Sequence, residues 1–207
     1  MDVLRSQASW DHGAYEIATR LSEAVGVEVH AGAFSRMFVD LNRDADHAHV
    51  IPEVSYGAVV PGNAALTAGD RAARLAGFHA PYWAAVKRDV RARLHGGGHV
   101  LHFSSHSFAP ELDPAQRTFE VGVLYDPGHA FEAELAERLL FQLRGAGLDV
   151  RANQPYHGTG AAICTTFRQE LGERYAGIQF ETSHAVTHRP GGCRRVADAI
   201  AAFFETL

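Results

Sequence analysis

The feature that most constrains the fold of this chain is the order of its short apolar runs, at residues 99–104, 119–125 and 177–181, with helix-forming sequence between them. Runs of this length suit buried strands, whereas residues 131–143 carry apolar side chains at helical spacing. A helix between two strands is the connection that parallel neighbours require. Residues 25–31, 37–41 and 148–151 read as further strands. Ala14, Ile17, Ala18, Leu21 and Val25 share one helical face. Thr67 caps a helix towards Phe78, Pro81 restarts it, and Gly96-Gly97-Gly98 ends that second helix near Leu94. Residues 165–171 and 196–204 complete the helices. The alternation predicts one α/β domain with a mixed, mostly parallel sheet and helices on both faces. Residues 44–63 are rich in Pro, Gly, His and Asp without any period, which predicts a long loop of the kind that often carries function.

At 207 residues, 46% of them apolar and 21% charged, the chain has enough material for one complete core. A formal net charge of -5 without a Lys/Arg cluster argues against nucleic acid as a partner. No apolar run is long enough to span a bilayer, and Met1-Asp2-Val3-Leu4-Arg5 shows no secretory signal. Cys164 and Cys193 form neither a metal-binding pair nor a disulfide framework, so a reducing cytoplasm is the expected location.

Candidate chemistry begins at Arg36 and at Asp40-Leu41-Asn42-Arg43. An Arg fork beside an Asn amide suits a small carboxylate, although two Arg near strand ends are most often surface ion-pair partners. His106 follows the run 100–105, where a strand meets its loop and α/β sheets place ligands. Glu181 ends an apolar strand and is either a cap or ion-pair partner or a general base. Asp11, just ahead of the first helix, is by default its N-cap.

Taken together these residues resemble the N-formylglutamate amidohydrolases. The likeness runs through Trp10-Asp11-His12-Gly13-Ala14, Ser35-Arg36 with Asp40-Leu41-Asn42-Arg43-Asp44, and Val60-Pro61-Gly62-Asn63. It continues in His106-Ser107-Phe108-Ala109-Pro110, Val121-Gly122-Val123-Leu124-Tyr125, Asn153-Gln154-Pro155-Tyr156-His157-Gly158 and Tyr175-Ala176-Gly177-Ile178-Gln179-Phe180-Glu181. The resemblance implies that residues 1–207 form one domain with a zinc-peptidase (phosphorylase/hydrolase-like) sheet, similar to zinc carboxypeptidases and aspartoacylases. It implies one zinc site with His106 and Asp11 as ligands, Asn42 and Arg43 on the substrate carboxylate, Arg36 on the scissile carbonyl or a second carboxylate, and Glu181 as general base.

The activity so implied is metal-dependent hydrolysis of the amide of an N-formyl or other small N-acyl acidic amino acid, such as N-formylglutamate. Two alternatives stand beside it: an aspartoacylase-like amidase for another N-acyl amino acid, and a metal-free carboxylate-binding protein. Relatives usually begin about one strand earlier, with a Glu-His-Ala-Gly or Pro-His-Ser-Gly motif whose His resembles the first zinc ligand, whereas Met1 to Ser9 contains no His. The expectation is therefore a sheet without that strand, with its edge altered or completed by a partner chain, a homo-oligomer included. His12, His30 or His102 would have to serve as the remaining ligand.

Overall fold

A computed structural model describes residues 9–112 and 117–207. Helix α1 (Ala14–Val25) comes first, followed by a long irregular segment that contains only the two-residue strands β1 (Val54–Ser55) and β2 (Ala58–Val59). Then come α2 (Ala68–Arg74), α3 (Ala80–His95), β3 (Val100–Phe108), β4 (Val121–Leu124) and α4 (Ala130–Gly145). The chain continues through β5 (Val150–Ala152), α5 (Ile163–Leu171), β6 (Tyr175–Ser183), the short α6 (His184–Thr187) and α7 (Gly192–Phe204).

The main sheet has four strands in the order β3-β6-β4-β5. β3 and β6 are parallel, β4 and β5 are parallel, and β4 runs antiparallel to β6, so the sheet is mixed as expected. Helices cover both faces. Against one face, α1, α4 and α7 pack Ile17, Leu21, Leu139, Leu143, Ile200 and Phe203 with Val121, Val123, Ile178 and Phe180. On the other, α3 and α5 bring Val86, Val90 and Phe167 against Val100 and Tyr175. Burying such side chains contributes roughly 1.5–3 kcal/mol each before entropy is counted. Within the α5 face, Glu132 is fully buried and accepts hydrogen bonds from Arg168, the Gly177 amide and the Asp126 amide.

Four expectations are corrected. Residues 25–31 and 37–41 form no strand, Val25 being the last residue of α1. Around Arg36 the side chains bond the nearby backbone, Ser35 Oγ accepting from Met37 N at 3.1 Å and Asp40 Oδ1 from Asn42 N at 3.0 Å. Such local bonds compete with strand pairing. Met37 and Val39 are buried, as a strand's alternate residues would be, but they pack on Val60, Val50 and Ile51 of the following loop. Secondly, the helix does not break before Pro81: α2 passes through a π-helical turn at Leu75–His79 directly into α3, and the irregular turn lies just where Pro81 lacks the N–H that would bond back along a regular helix. Thirdly, β3 extends to Phe108, so His106 lies within the strand rather than in the loop after it. Finally, Asp11 does not cap α1; Gly13 takes the N-cap position in the left-handed region at φ 78°. A Cβ there would stand 2.7 Å from Thr187 Cβ, so both the conformation and the packing demand glycine. Thr67 is the N-cap expected of it, in a reciprocal capping box with Asp70.

Among the described residues no helix is long and apolar enough to cross a membrane.

Candidate active site

Parallel register sets His106 opposite Glu181 and Ser104 opposite Gln179. Because side chains alternate along a strand, His102, Ser104 and His106 share the α3/α5 face with Gly177, Gln179 and Glu181. The result is a polar ladder along the paired strands β3 and β6. On the other side of β6, Gly122 is the partner of Glu181. A Cβ on Gly122 would lie 2.0 Å from the Gln154 carbonyl oxygen, so glycine lets the 153–158 loop cross the sheet beside Glu181.

Asp11 reaches this ladder from the turn ahead of α1, its Oδ2 lying 2.7 Å from His106 Nδ1. A carboxylate only accepts, so Nδ1 carries the proton, and in the neutral ring Nε2 is left as an acceptor. Ser104 Oγ lies 3.0 Å from that Nε2. Burial works against a charged imidazole at His106, but the hydrogen bond and charge of Asp11 and the charge of Glu181 outweigh it, and the pKa is raised. At Asp11 burial is again the largest influence and is again outweighed, here by His106 and Arg36, so its carboxyl sits below the ordinary range. Glu181 differs: burial dominates and lifts its pKa to about 7, against the pull of His106, Arg36 and Arg117. Its Oε2 is buried and has no hydrogen-bond partner among the described residues.

Arg36 donates to Asp40 Oδ2 at 2.7 Å and stands 3.9 Å from Asp11 Oδ1. The turn that follows is held by the π-turn and by α3. His79 Nε2 donates to the Arg43 carbonyl at 2.6 Å, and Trp83 Nε1 to the Leu41 carbonyl at 2.9 Å. Asn42 donates from Nδ2 to Gln179 Oε1 at 3.0 Å, which brings it over the ladder beside Ser104. Arg43 turns away and bonds the Ala161 carbonyl, so the adjacent Asn42 and Arg43 side chains do not converge on one point. Asp11, Arg36, Asn42, Ser104 and His106 all line a cleft of ≈ 940 Å³ along β3.

The N-formylglutamate amidohydrolase family model matches residues 1–187. The chain belongs to that family. A gene product of Agrobacterium tumefaciens has a similar structure at 28% identity, with TM-score 0.83 over 99% of this chain and 80% of its own. The N-formylglutamate amidohydrolase from Ralstonia eutropha JMP134 shares the fold at 18% identity, with TM-score 0.67 over 81% of this chain and 70% of its own. Comparison with curated proteins gives no match.

In this N-formylglutamate amidohydrolase family member the donors among the described residues do not fit a catalytic zinc, which takes three protein ligands and keeps one open position. Among the described residues no group of three or more His, Cys, Asp or Glu could hold a metal ion. Asp11 and His106, the expected ligand pair, are hydrogen-bonded to each other. The expected substitutes are also engaged elsewhere: His12 with Thr187 at 3.0 Å, His30 with Asp89 at 2.8 Å, and His102 with the Tyr175 hydroxyl at 2.7 Å. Burial, with His106 and His30 nearby, pulls the His102 pKa down to about 4, so its imidazole is neutral near pH 7.

Of the residues singled out in the sequence, the fold brings Asp11, Arg36, Asn42, His106 and Glu181 to one region and leaves the Arg43 side chain apart. Sequence reasoning missed Ser104, Gln179 and the role of Asp40. For the first two a signal existed: polar residues at every second position of an apolar run place 102, 104 and 106 together on one side of their strand, and 179 with 181 together on one side of theirs.

Proposed function

We propose that this chain hydrolyses the linear amide of an N-formyl or other small N-acyl acidic amino acid. The observation that carries this reading is the pairing, on neighbouring strands, of an Asp11-held imidazole with a buried carboxyl, Glu181, that titrates at about 7. A carboxyl titrating there both takes and gives a proton near neutral pH. In this reading Glu181 accepts the proton of the attacking water and delivers it to the departing amine. Arg36, cationic and facing the cleft, offers charge to the oxygen that becomes negative at the acyl carbon. Asn42 and Arg36 bind the substrate carboxylate through directed N–H groups, and Arg43 joins them on rotating away from Ala161. Family membership supports amide hydrolysis; the acyl group and the amino acid are this reading's own. No step is routed through a metal, because among the described residues no three donors form a site for one.

The test is a panel of N-formyl, N-acetyl and longer N-acyl derivatives of Glu, Asp, Leu and Lys, followed by release of free amine. Preference for small acyl groups on acidic amino acids is expected. Equal rates on Leu and Glu derivatives would remove the carboxylate-site assignment, and no release from any of them would overturn the reading.

A further inference from the structure

We propose that Arg117, laid over the Tyr156 ring at the Glu181 end of the sheet, binds the second carboxylate of an acidic substrate and so selects dicarboxylic from monocarboxylic N-acyl amino acids. This deepens the amidase reading above and rests on it for the substrate class.

An acidic amino acid whose amine is acylated carries two carboxylates, and Asn42 with Arg36 binds one. Arg117 is placed for the other. β4 runs antiparallel to β6 with Val121 opposite Thr182, and the Ser183 amide donates to the Glu120 carbonyl at 2.9 Å. The chain just ahead of β4 therefore passes the end of β6 that bears Glu181. Tyr156 comes to the same place by another route, on the loop that Gly122 admits beside Glu181. The Arg117 guanidinium lies 5.1 Å from the centre of the Tyr156 ring and 6.0 Å from that of Phe108, the last residue of β3, and its Nη1 donates to the Ala109 carbonyl at 3.1 Å.

These contacts hold the guanidinium by its face and one corner. A guanidinium stacked on an aromatic ring keeps N–H edges free, and it meets a carboxylate with them as a planar fork. Its charge is also unmatched: no carboxylate of the described residues forms an ion pair with Arg117, whereas Arg36 has Asp40 at 2.7 Å. The two cations serve one region. Glu181 feels the charge of both, and Tyr56, at the turn between β1 and β2, is close enough to act on both Arg36 and Tyr156. A dicarboxylate anchored on Arg36 and Arg117 is held at two points instead of one, which fixes the orientation of its amide.

The experiment measures amine release by the full chain from N-formylglutamate and from its two monoamides, N-formylglutamine and N-formylisoglutamine. Parent and Arg117→Met are compared, since Met keeps an apolar stem on Tyr156 and removes the charge. In Arg117→Met, kcat/KM for N-formylglutamate should fall by about 10–100-fold, the scale of a lost charge-assisted hydrogen bond, chiefly through KM. The monoamide that lacks the carboxylate read by Arg117 should lose less than about threefold, because the interaction is already missing from it. A similar loss on all three substrates would make Arg117 a structural clamp on Tyr156 and Ala109 and overturn the subsite, as would no loss on any. If the parent releases amine from none of the three, the amidase reading falls and binding decides for Arg117. Glutarate, a dicarboxylate with no amide to cleave, is then titrated calorimetrically against butyrate. A preference for glutarate that Arg117→Met abolishes keeps the subsite, and equal binding of the two, or a preference that survives in Arg117→Met, removes it.

Discussion

Asp11 and His106 are joined by a 2.7 Å hydrogen bond across 95 positions of sequence, so the imidazole's tautomer is decided by a residue on a different element. Asp11→Asn keeps the size but presents an amide that donates as readily as it accepts. The His106 pKa should then fall, since burial remains and the influences that raised it are reduced. A loss in kcat of about 10²–10⁴ is expected, by analogy with replacement of a buried orienting carboxylate. Imidazole titration by NMR together with kcat checks this, and an unchanged His106 pKa contradicts it.

Glu181→Gln makes a prediction in both rate and stability. As general acid and base Glu181 contributes on the order of 10²–10⁴ to kcat, which the amide cannot supply. For stability the sign follows from the raised pKa. Between the ordinary 4.5 and about 7 the folded state holds a proton that the unfolded state has released, so the contribution present below 4.5 is lost as pH rises through 7. The loss is on the order of 3 kcal/mol. Chemical denaturation at pH 4.5 and pH 8 should show the parent weakening relative to Glu181→Gln as pH rises. Parallel pH profiles for the two proteins would refute this account.

Arg36 has two carboxylates near it, Asp40 and Asp11, and a planar fork that Lys does not reproduce. Arg36→Lys should therefore reduce kcat/KM for acidic substrates by more than tenfold, on the basis of about 1.5–3 kcal/mol for a charge-assisted bond. Arg43→Lys, whose parent side chain bonds the Ala161 carbonyl, should act mainly on KM. Steady-state kinetics with N-formylglutamate separates them; equal effects on both parameters in both variants would show that the two arginines are not divided in this way.

Away from the site, the buried pair of Glu132 and Arg168 gives a stability prediction. Arg168→Met leaves the fully buried Glu132 carboxylate with amide donors only. Removing one partner of such a pair costs about 3–5 kcal/mol. Glu132→Gln with Arg168→Met should recover much of that loss, because no buried charge is then left unmatched. Urea denaturation of the single and double variants decides it, and a double variant no more stable than the single would contradict the charge argument.

Helix α4 and strands β4, β5 and β6 were legible in the sequence because each buries its period against a continuous core. Residues 37–41 misled because Met37 and Val39 alternate for a different reason, packing on Val50, Ile51 and Val60 while Ser35 and Asp40 hold the backbone in turns. Asp11, Arg36, His106 and Glu181 could be named from their types and their likeness to a family. Their relations could not. Whether Asp11 capped its own helix or reached His106 depended on where α1 was seated, a long-range fact that local spacing does not encode. Ser104 was hidden for a simpler reason: the strand was read as ending there, and a serine at a strand end carries no orientation.

Gly13 sits with no room to spare against the C-terminal part of the fold, where an added Cβ would lie 2.7 Å from Thr187 Cβ and 2.9 Å from Cys193 Sγ. Asp11 is two residues before it. The distance between the Asp11 carboxylate and the imidazole is thus gauged from α7 as well as from the sheet that bears His106. Extra bulk on the Cys193 sulfur, as oxidation would add, would press on this packing, and Asp11 would feel it through Gly13. A change at position 193 would be felt at position 106 although the two side chains belong to different elements and share no bond.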